Sequence, residues 1–207
     1  MLSLDRFTEL RRMNNDVERF HDWSARYENS WIQRYLDPLH DLMLQATAAQ
    51  CRELNPDSVL DLGCGTGRLL RKAEKRWPGS QLLGIDPAQG MIEVARKLTP
   101  NARLYQAPAE SIPIADGSID LVLSAVSMHH WSNALLGIHE VSRVLREGGL
   151  FCIADIALPS WLTKLFRSKA KTRAGIRQLL NEANLSIKQQ QTTNAGVVLV
   201  SVARKEL

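Results

Sequence analysis

The chain has 207 residues, 44% of them hydrophobic and 23% charged, enough for one folded core and unlike a disordered or fibrous composition. Its apolar runs are strand-length, far short of the roughly 20 residues that span a bilayer, and residues 1–16 are too polar for a signal-peptide core, so a cytoplasmic protein with no membrane span is expected. The formal charge of +4 is modest, and the three cysteines Cys51, Cys64 and Cys152 are too few and too scattered for a disulfide framework or a paired-cysteine zinc site, so no metal is expected.

Ahead of Asn55-Pro56-Asp57 the chain reads as helix. Residues Asp16–Ala25, Ser30–Leu36 and Pro38–Leu54 carry apolar side chains at helical spacing, Leu39, Leu42, Met43, Ala46 and Ala49 among them, and Pro38 is tolerable in a first turn. Beyond that point short β-branched runs alternate with helical stretches. Strands are predicted at Ser58–Leu62, Gln81–Asp86, Ala102–Gln106, Ile119–Ala125 and Leu150–Ile156, and helices at Arg68–Arg76, Gly90–Leu98 and Asn133–Val144.

Next comes a run without acids that holds Lys164, Arg167, Lys169, Lys171, Arg173 and Arg177. It reads either as a solvated basic face or as a surface for an anionic substrate, nucleic acid or membrane. A helix at Thr172–Asn184 follows, then strands Ser186–Thr192 and Val197–Arg204 around a turn at Asn194-Ala195-Gly196, an antiparallel hairpin at the sheet edge. The fold class predicted is α/β, a doubly wound and mainly parallel seven-stranded sheet with a C-terminal antiparallel hairpin and N-terminal helices. Ligands of such sheets sit at the carboxyl ends of the strands.

The segment Val59-Leu60-Asp61-Leu62-Gly63-Cys64-Gly65-Thr66-Gly67 ends a buried strand and opens a helix with glycines at alternate positions. Glycine allows a tight turn and close approach to bare backbone, and free amides at a helix start favour electron-rich groups. A nucleotide-like ligand is one reading; a plain strand-to-helix connection is the other. Asp86 ends the next strand about 20 residues on, where a carboxylate can accept both hydroxyls of a ribose. The competing role for Asp86 is to start a turn and cap the following helix. The spacing is G-x-G-x-G rather than the G-x-G-x-x-G of dinucleotide sites.

This D-x-G-x-G-x-G pattern resembles the first motif of class I, Rossmann-like S-adenosylmethionine-dependent methyltransferases, of the small-molecule type 11-like group. The resemblance continues in register through Leu83-Gly84-Ile85-Asp86-Pro87, Met91, Ala95-Arg96, Ala109-Glu110-Ser111-Ile112-Pro113, Asp120-Leu121-Val122, His129-His130-Trp131 and Arg143–Gly149, about residues 55–156 in all. It implies S-adenosyl-L-methionine as cofactor and S-adenosylhomocysteine as product. Asp61, Gly63, Cys64, Gly65 and Gly67 would surround the methionine portion, with Asp86 on the ribose. Ile85, Pro87 and Met91 resemble residues that pack on the adenine, and Ala109 would lie along its polar edge. Pro108 stands where the family often has an aspartate for the adenine amino group, so that contact falls to backbone or to Glu110. Ser124 and Ala125 would face the methionine end and the reacting methyl group.

A sulfonium is already an activated donor, so a fixed catalytic residue is not mandatory. His129 and His130 follow the fourth strand, where an imidazole could act as a base; loop packing and helix capping are the alternative for each. Asp155 is a further polar group at that edge. Residues Phe20–Glu28 resemble the N-terminal segment that folds over the cofactor in many small-molecule methyltransferases, which divides the chain into a lid at 1–54 and a Rossmann-like domain at 55–207. Tyr27 could cover a sulfonium through a cation–π contact, or it could join Trp23 and Trp31 in an aromatic stripe docking a helix.

No Asn/Asp-Pro-Pro-aromatic motif and no Pro-Cys or Thr-Cys pair is present, and no separate nucleic-acid domain is visible, which points to a small-molecule acceptor. Two other functions fit the same residues: a cofactor-binding regulatory or scaffold module without turnover, and a tRNA or protein methyltransferase that uses the basic segment 164–177. The acceptor itself and the oligomeric state are left open.

Overall fold

The computed structural model describes residues 17–20, 23–24, 26–31, 33–51, 55–157, 172–193 and 197–206. Seven strands form one sheet in the order β3-β2-β1-β4-β5-β7-β6: β1 (Ser58–Leu62), β2 (Gln81–Asp86), β3 (Arg103–Gln106), β4 (Ile119–Ala125), β5 (Leu145–Ile156), β6 (Leu185–Thr192) and β7 (Val198–Lys205). The first five are parallel, and β7 runs antiparallel between β5 and β6. The helices are α1 (Gln33–Cys51), α2 (Arg68–Arg76), α3 (Gln89–Leu98), α4 (Ala134–Val144) and α5 (Arg173–Glu182). None of the described helices is long and apolar enough to cross a membrane.

Alternate residues of the central strands serve opposite faces, as the twofold period of a strand requires. Leu60, Leu62, Val122, Phe151 and Ile153 pack with Ile138 and Val141 of α4 and Ile176 and Leu180 of α5. Val59, Leu121, Leu123, Cys152 and Val200 pack on the other face with Met43 of α1, Leu70 and Ala73 of α2 and Ile92 of α3. Every residue of β1 is buried, and its apolar residues Val59, Leu60 and Leu62 serve both faces of the sheet. The chain leaves β1 toward β2 on one side, while β4 pairs on the other. The strand order therefore reverses beside the carboxyl end of β1, and a crevice opens there.

Most predicted elements stand within a residue or two of their observed ends, and three differ more. The two helices predicted on either side of Asp37 are one helix, α1, which runs through Pro38. Proline removes one N–H, here the donor toward Arg34, and the flanking turn is secured from outside: Arg68 grips the Asp37 carboxylate and Lys72 Nζ donates to the Asp37 carbonyl at 2.9 Å. β5 begins at Leu145, five residues early, with a register shift against β4 between Ile119 and Leu121. Helical residues of the N-terminal segment continue to Tyr27, two beyond Ala25. The hairpin turn at 194–196 and the basic residues Lys164, Arg167, Lys169 and Lys171 lie outside the described residues; Arg173 and Arg177 are exposed on α5.

Candidate active site

The turn after β1 is built from left-handed backbone at Gly63, Gly65 and Gly67, with φ of 78°, 52° and 78°. The Gly63 and Cys64 N–H groups donate to the Ile85 carbonyl, at 2.8 and 3.0 Å, so the turn is fastened to the end of β2. A Cβ on Gly63 would stand 2.5 Å from Cβ of Ser127, and one on Gly67 would stand 2.9 Å from Thr99 Cγ2. A Cβ on Gly65 would point at the Tyr27 ring and stand an ordinary 3.7 Å from it.

Asp86, at the end of β2, closes the same turn. Its Oδ2 accepts the Gly65 N–H and its Oδ1 accepts the Ala88 N–H, both at 2.9 Å, so it also caps the turn into α3. Burial pushes the Asp86 carboxyl up to about 6, partly offset by these two N–H groups. Asp61, buried on β1, is raised to about 8, by burial first and by the Asp86 charge second. Two neighbouring carboxyls are thus held in a dry site with no basic side chain countering their shifts.

The third wall follows β4. Val126, a β-branched residue, has a positive φ of 51°, and its N–H donates to Ala154 O at 2.7 Å. Such a conformation is strained and persists where surrounding structure holds it. Ser127 comes next: its hydroxyl donates to Leu62 O at 3.0 Å, lies 2.8 Å from Ser124 Oγ and accepts Trp131 Nε1–H at 3.2 Å. Asp155, at the end of β5, accepts the His129 N–H and lies 2.7 Å from His129 Nδ1; its Oδ1 also accepts the Ile156 N–H. A carboxylate partner places the ring proton of neutral His129 on Nδ1 and leaves Nε2 as the acceptor. The His130 ring stacks at 4.0 Å on that of His129 and meets Phe20 edge-on at 5.3 Å.

The N-terminal segment covers this crevice. Phe20, Trp23 and Tyr27 contact one another through ring edges, with Tyr27 5.0 Å from Trp23. Burial, and then the Asp86 charge, push the Tyr27 hydroxyl up to about 12. The resulting cleft holds about 800 Å³ of empty space, open solvent at its mouth included.

Residues 60–153 match a family described as a methyltransferase domain. The methyltransferase YcgJ of Bacillus subtilis is 33% identical over 124 residues, 58% of this chain and 47% of that protein. The demethylmenaquinone methyltransferase of Thermotoga maritima is 31% identical over 117 residues, 56% of this chain and 50% of that one. Over residues 60–153 the chain is similar to class I methyltransferase domains of the type 11 group. It spans about half the length of the curated relatives it matches. Among solved structures, a chain of the complex between the Haloferax volcanii Trm112 methyltransferase activator and a methyltransferase superposes with a TM-score of 0.72 at 19% identity, covering 91% of this chain and 98% of that one.

Of the residues singled out in sequence, the cleft collects Tyr27, Gly63, Gly65, Asp86, Pro87, Met91, Ala109, Glu110, Ala125 and His130. Asp61 and Ser124 are buried behind it, Cys64 packs against Gly84, and Gly67 caps α2 against Thr99. His129 stands one layer back, between Asp155 and His130. Glu110 Oε1 is taken by the Ser132 hydroxyl and the Asn133 N–H, so its carboxylate braces the start of α4 while its side lines the cleft. Phe20 and Trp131, from the two motifs named in the sequence, line the cleft as well, and so do Val126 and Ser127, which carry no motif of their own. The signal of Val126 and Ser127 is positional: they follow a strand end.

Proposed function

We propose that this chain is an S-adenosylmethionine-dependent methyltransferase acting on a small-molecule acceptor. The observation that carries the reading is the meeting, at the carboxyl ends of β1 and β2, of bare glycine backbone with two buried carboxyls whose charge no basic side chain offsets. A ligand with a cationic end and ribose hydroxyls supplies what such a site lacks, so the residues present fit the cofactor.

Gly63, Gly65 and Asp61 hold the methionine end in this reading, and Asp86 accepts the ribose hydroxyls. Pro87 and Met91 form the adenine face. With Glu110 Oε1 already engaged, the polar edge falls to backbone at Ala109. When bound, the cofactor supplies a methyl group already activated on a sulfonium. The segment ahead of α1 acts as a lid, with Phe20 and Tyr27 excluding water, while α1 stays packed in the core. His130 faces the acceptor and can take its proton on the imidazole, while Asp155 and His129 hold the turn that carries it. The aromatic lining at Phe20, Tyr27, His130 and Trp131 favours a small, largely apolar acceptor, in keeping with the similarity to the Thermotoga maritima demethylmenaquinone methyltransferase.

Two measurements test this. Label from methyl-labelled cofactor is expected in a low-molecular-weight product from a metabolite extract. Binding without transfer would instead mark a regulatory module, and label in tRNA or protein would favour the basic segment 164–177. Asp86→Ala should weaken cofactor binding at least about tenfold by calorimetry, the worth of a charged hydrogen-bond acceptor. An unchanged affinity removes Asp86 from the ribose.

A further inference from the structure

Residues 27 and 28 face two different parts of the same turn. The Tyr27 ring covers Gly65, and its carbonyl accepts the Ser30 N–H, the Ser30 hydroxyl at 2.7 Å and Gln33 Nε2–H at 3.2 Å, which roots the segment in the start of α1. Glu28 turns the other way. Its Oε2 accepts the hydroxyl of Thr66 at 2.6 Å, and its Oε1 accepts from Arg68 at 2.8 Å and from Arg71 at 2.5 Å. Thr66 lies inside the glycine turn and is buried, so this bond joins the covering segment directly to the loop beneath it.

The basic residues Arg68, Arg71 and Lys72 occupy one face of α2, at the spacing of three and four residues that brings helix side chains together. That face divides its partners. Arg68 and Lys72 clamp Asp37 and Asp41 on α1, and their hydrogen bonds hold the Asp37 carboxyl well below the ordinary range. Arg68 and Arg71 together take Glu28, which sits on the segment that covers the cleft. The α1 clamp is a fixed joint, whereas the Glu28 contact lies at the opening.

Resting on the cofactor reading above, we propose that Glu28 is a positioning residue, a catch that keeps Tyr27 seated over Gly65 and so sets how fast a nucleoside-bearing ligand leaves the site. The carboxylate touches no reacting atom. It acts through the Thr66 hydroxyl and the two guanidinium groups, and releasing it frees the segment from the glycine turn while α1 stays docked.

The experiment measures dissociation of S-adenosylmethionine and of S-adenosylhomocysteine by stopped-flow tryptophan fluorescence, Trp23 lying 5.0 Å from Tyr27. Glu28→Gln and Thr66→Val should each speed dissociation by about tenfold with little change in association, as expected when a charge-assisted contact made after encounter is lost. Wild-type dissociation should also quicken with salt, because the cluster is partly exposed and the Debye length falls to about 3 Å at 1 M. Glu28→Gln should be flatter in salt, and Glu28→Asp should recover part of the slow rate. If Glu28→Gln fails to fold, Thr66→Val, which leaves the ion cluster intact, carries the test. Wild-type binding with unchanged rates in the folded variants overturns the catch alone; failure of wild type to bind either compound overturns the cofactor reading and the catch with it.

Discussion

Gly63 is glycine for two reasons that coincide at one atom. Its backbone is left-handed, and the space a side chain would fill belongs to Ser127. Gly63→Ala should therefore lower unfolding free energy by about 1–3 kcal/mol, from backbone strain and a forced shift of Ser127, read as a lower urea midpoint of the ligand-free protein. The alternate-glycine spacing was legible in the sequence, but part of its cause was not. Gly65 lines the cleft, whereas Gly67 admits Thr99 from the chain itself and Gly63 admits Ser127 while still bordering the cleft. Ser127 joins β1, β4 and Trp131 through one hydroxyl, yet a lone serine after a strand has no pattern to announce it. For Asp86 the structure shows the capping role, and the same carboxylate lines the cleft.

Among the elements, α4 shows how a helix start is tied to the site. Asn133 accepts the Leu136 N–H at 3.1 Å, and the Asn133 N–H itself donates to Glu110, so one residue caps the helix and fastens the loop bordering the cleft. Asn133→Ala should cost about 1 kcal/mol of stability in chemical denaturation, with the loop bond to Glu110 kept because it uses backbone. Asn133 was legible as the helix boundary; its partner was not, since Glu110 lies 23 residues away. The same limit applies to Pro38. Local rules end a helix near a proline, and what carries α1 through it is an ion cluster supplied by α2. The extension of β5 back to Leu145 likewise depends on pairing with Ile119, a contact invisible to a run of Glu and Gly. Strands β1, β2 and β4 were readable because their apolar runs are buried on both faces.

At the scale of the molecule, the buried carboxyls make the ligand-free fold sensitive to pH in a stated direction. Asp61 titrates at about 8 in the fold against an ordinary 3.8, so the folded state binds more protons than the unfolded one and stability falls as pH rises through that window. His40 works oppositely: burial lowers it to about 4, so its contribution grows with pH and is complete by about 6.5, the ordinary value. Between pH 6.5 and 8 Asp61 therefore governs. The urea midpoint of wild type should drop across that interval while that of Asp61→Asn stays nearly flat, and equal slopes would remove Asp61 as the cause. The doubly wound sheet and its crevice were readable from the alternation of strands and helices, but the closeness of two carboxyls on the paired strands β1 and β2 became visible with the sheet order. That order has one more consequence. Among the described residues β6 pairs with β7 alone, so a ribosome must deliver residues 199–205 before residues 185–192 complete their pairing, which starts with Thr192 against Leu199. Synthesis can complete the parallel half, cleft included, while residues 198–205 are still emerging, and the hairpin then inserts against an edge of β5 kept waiting for it.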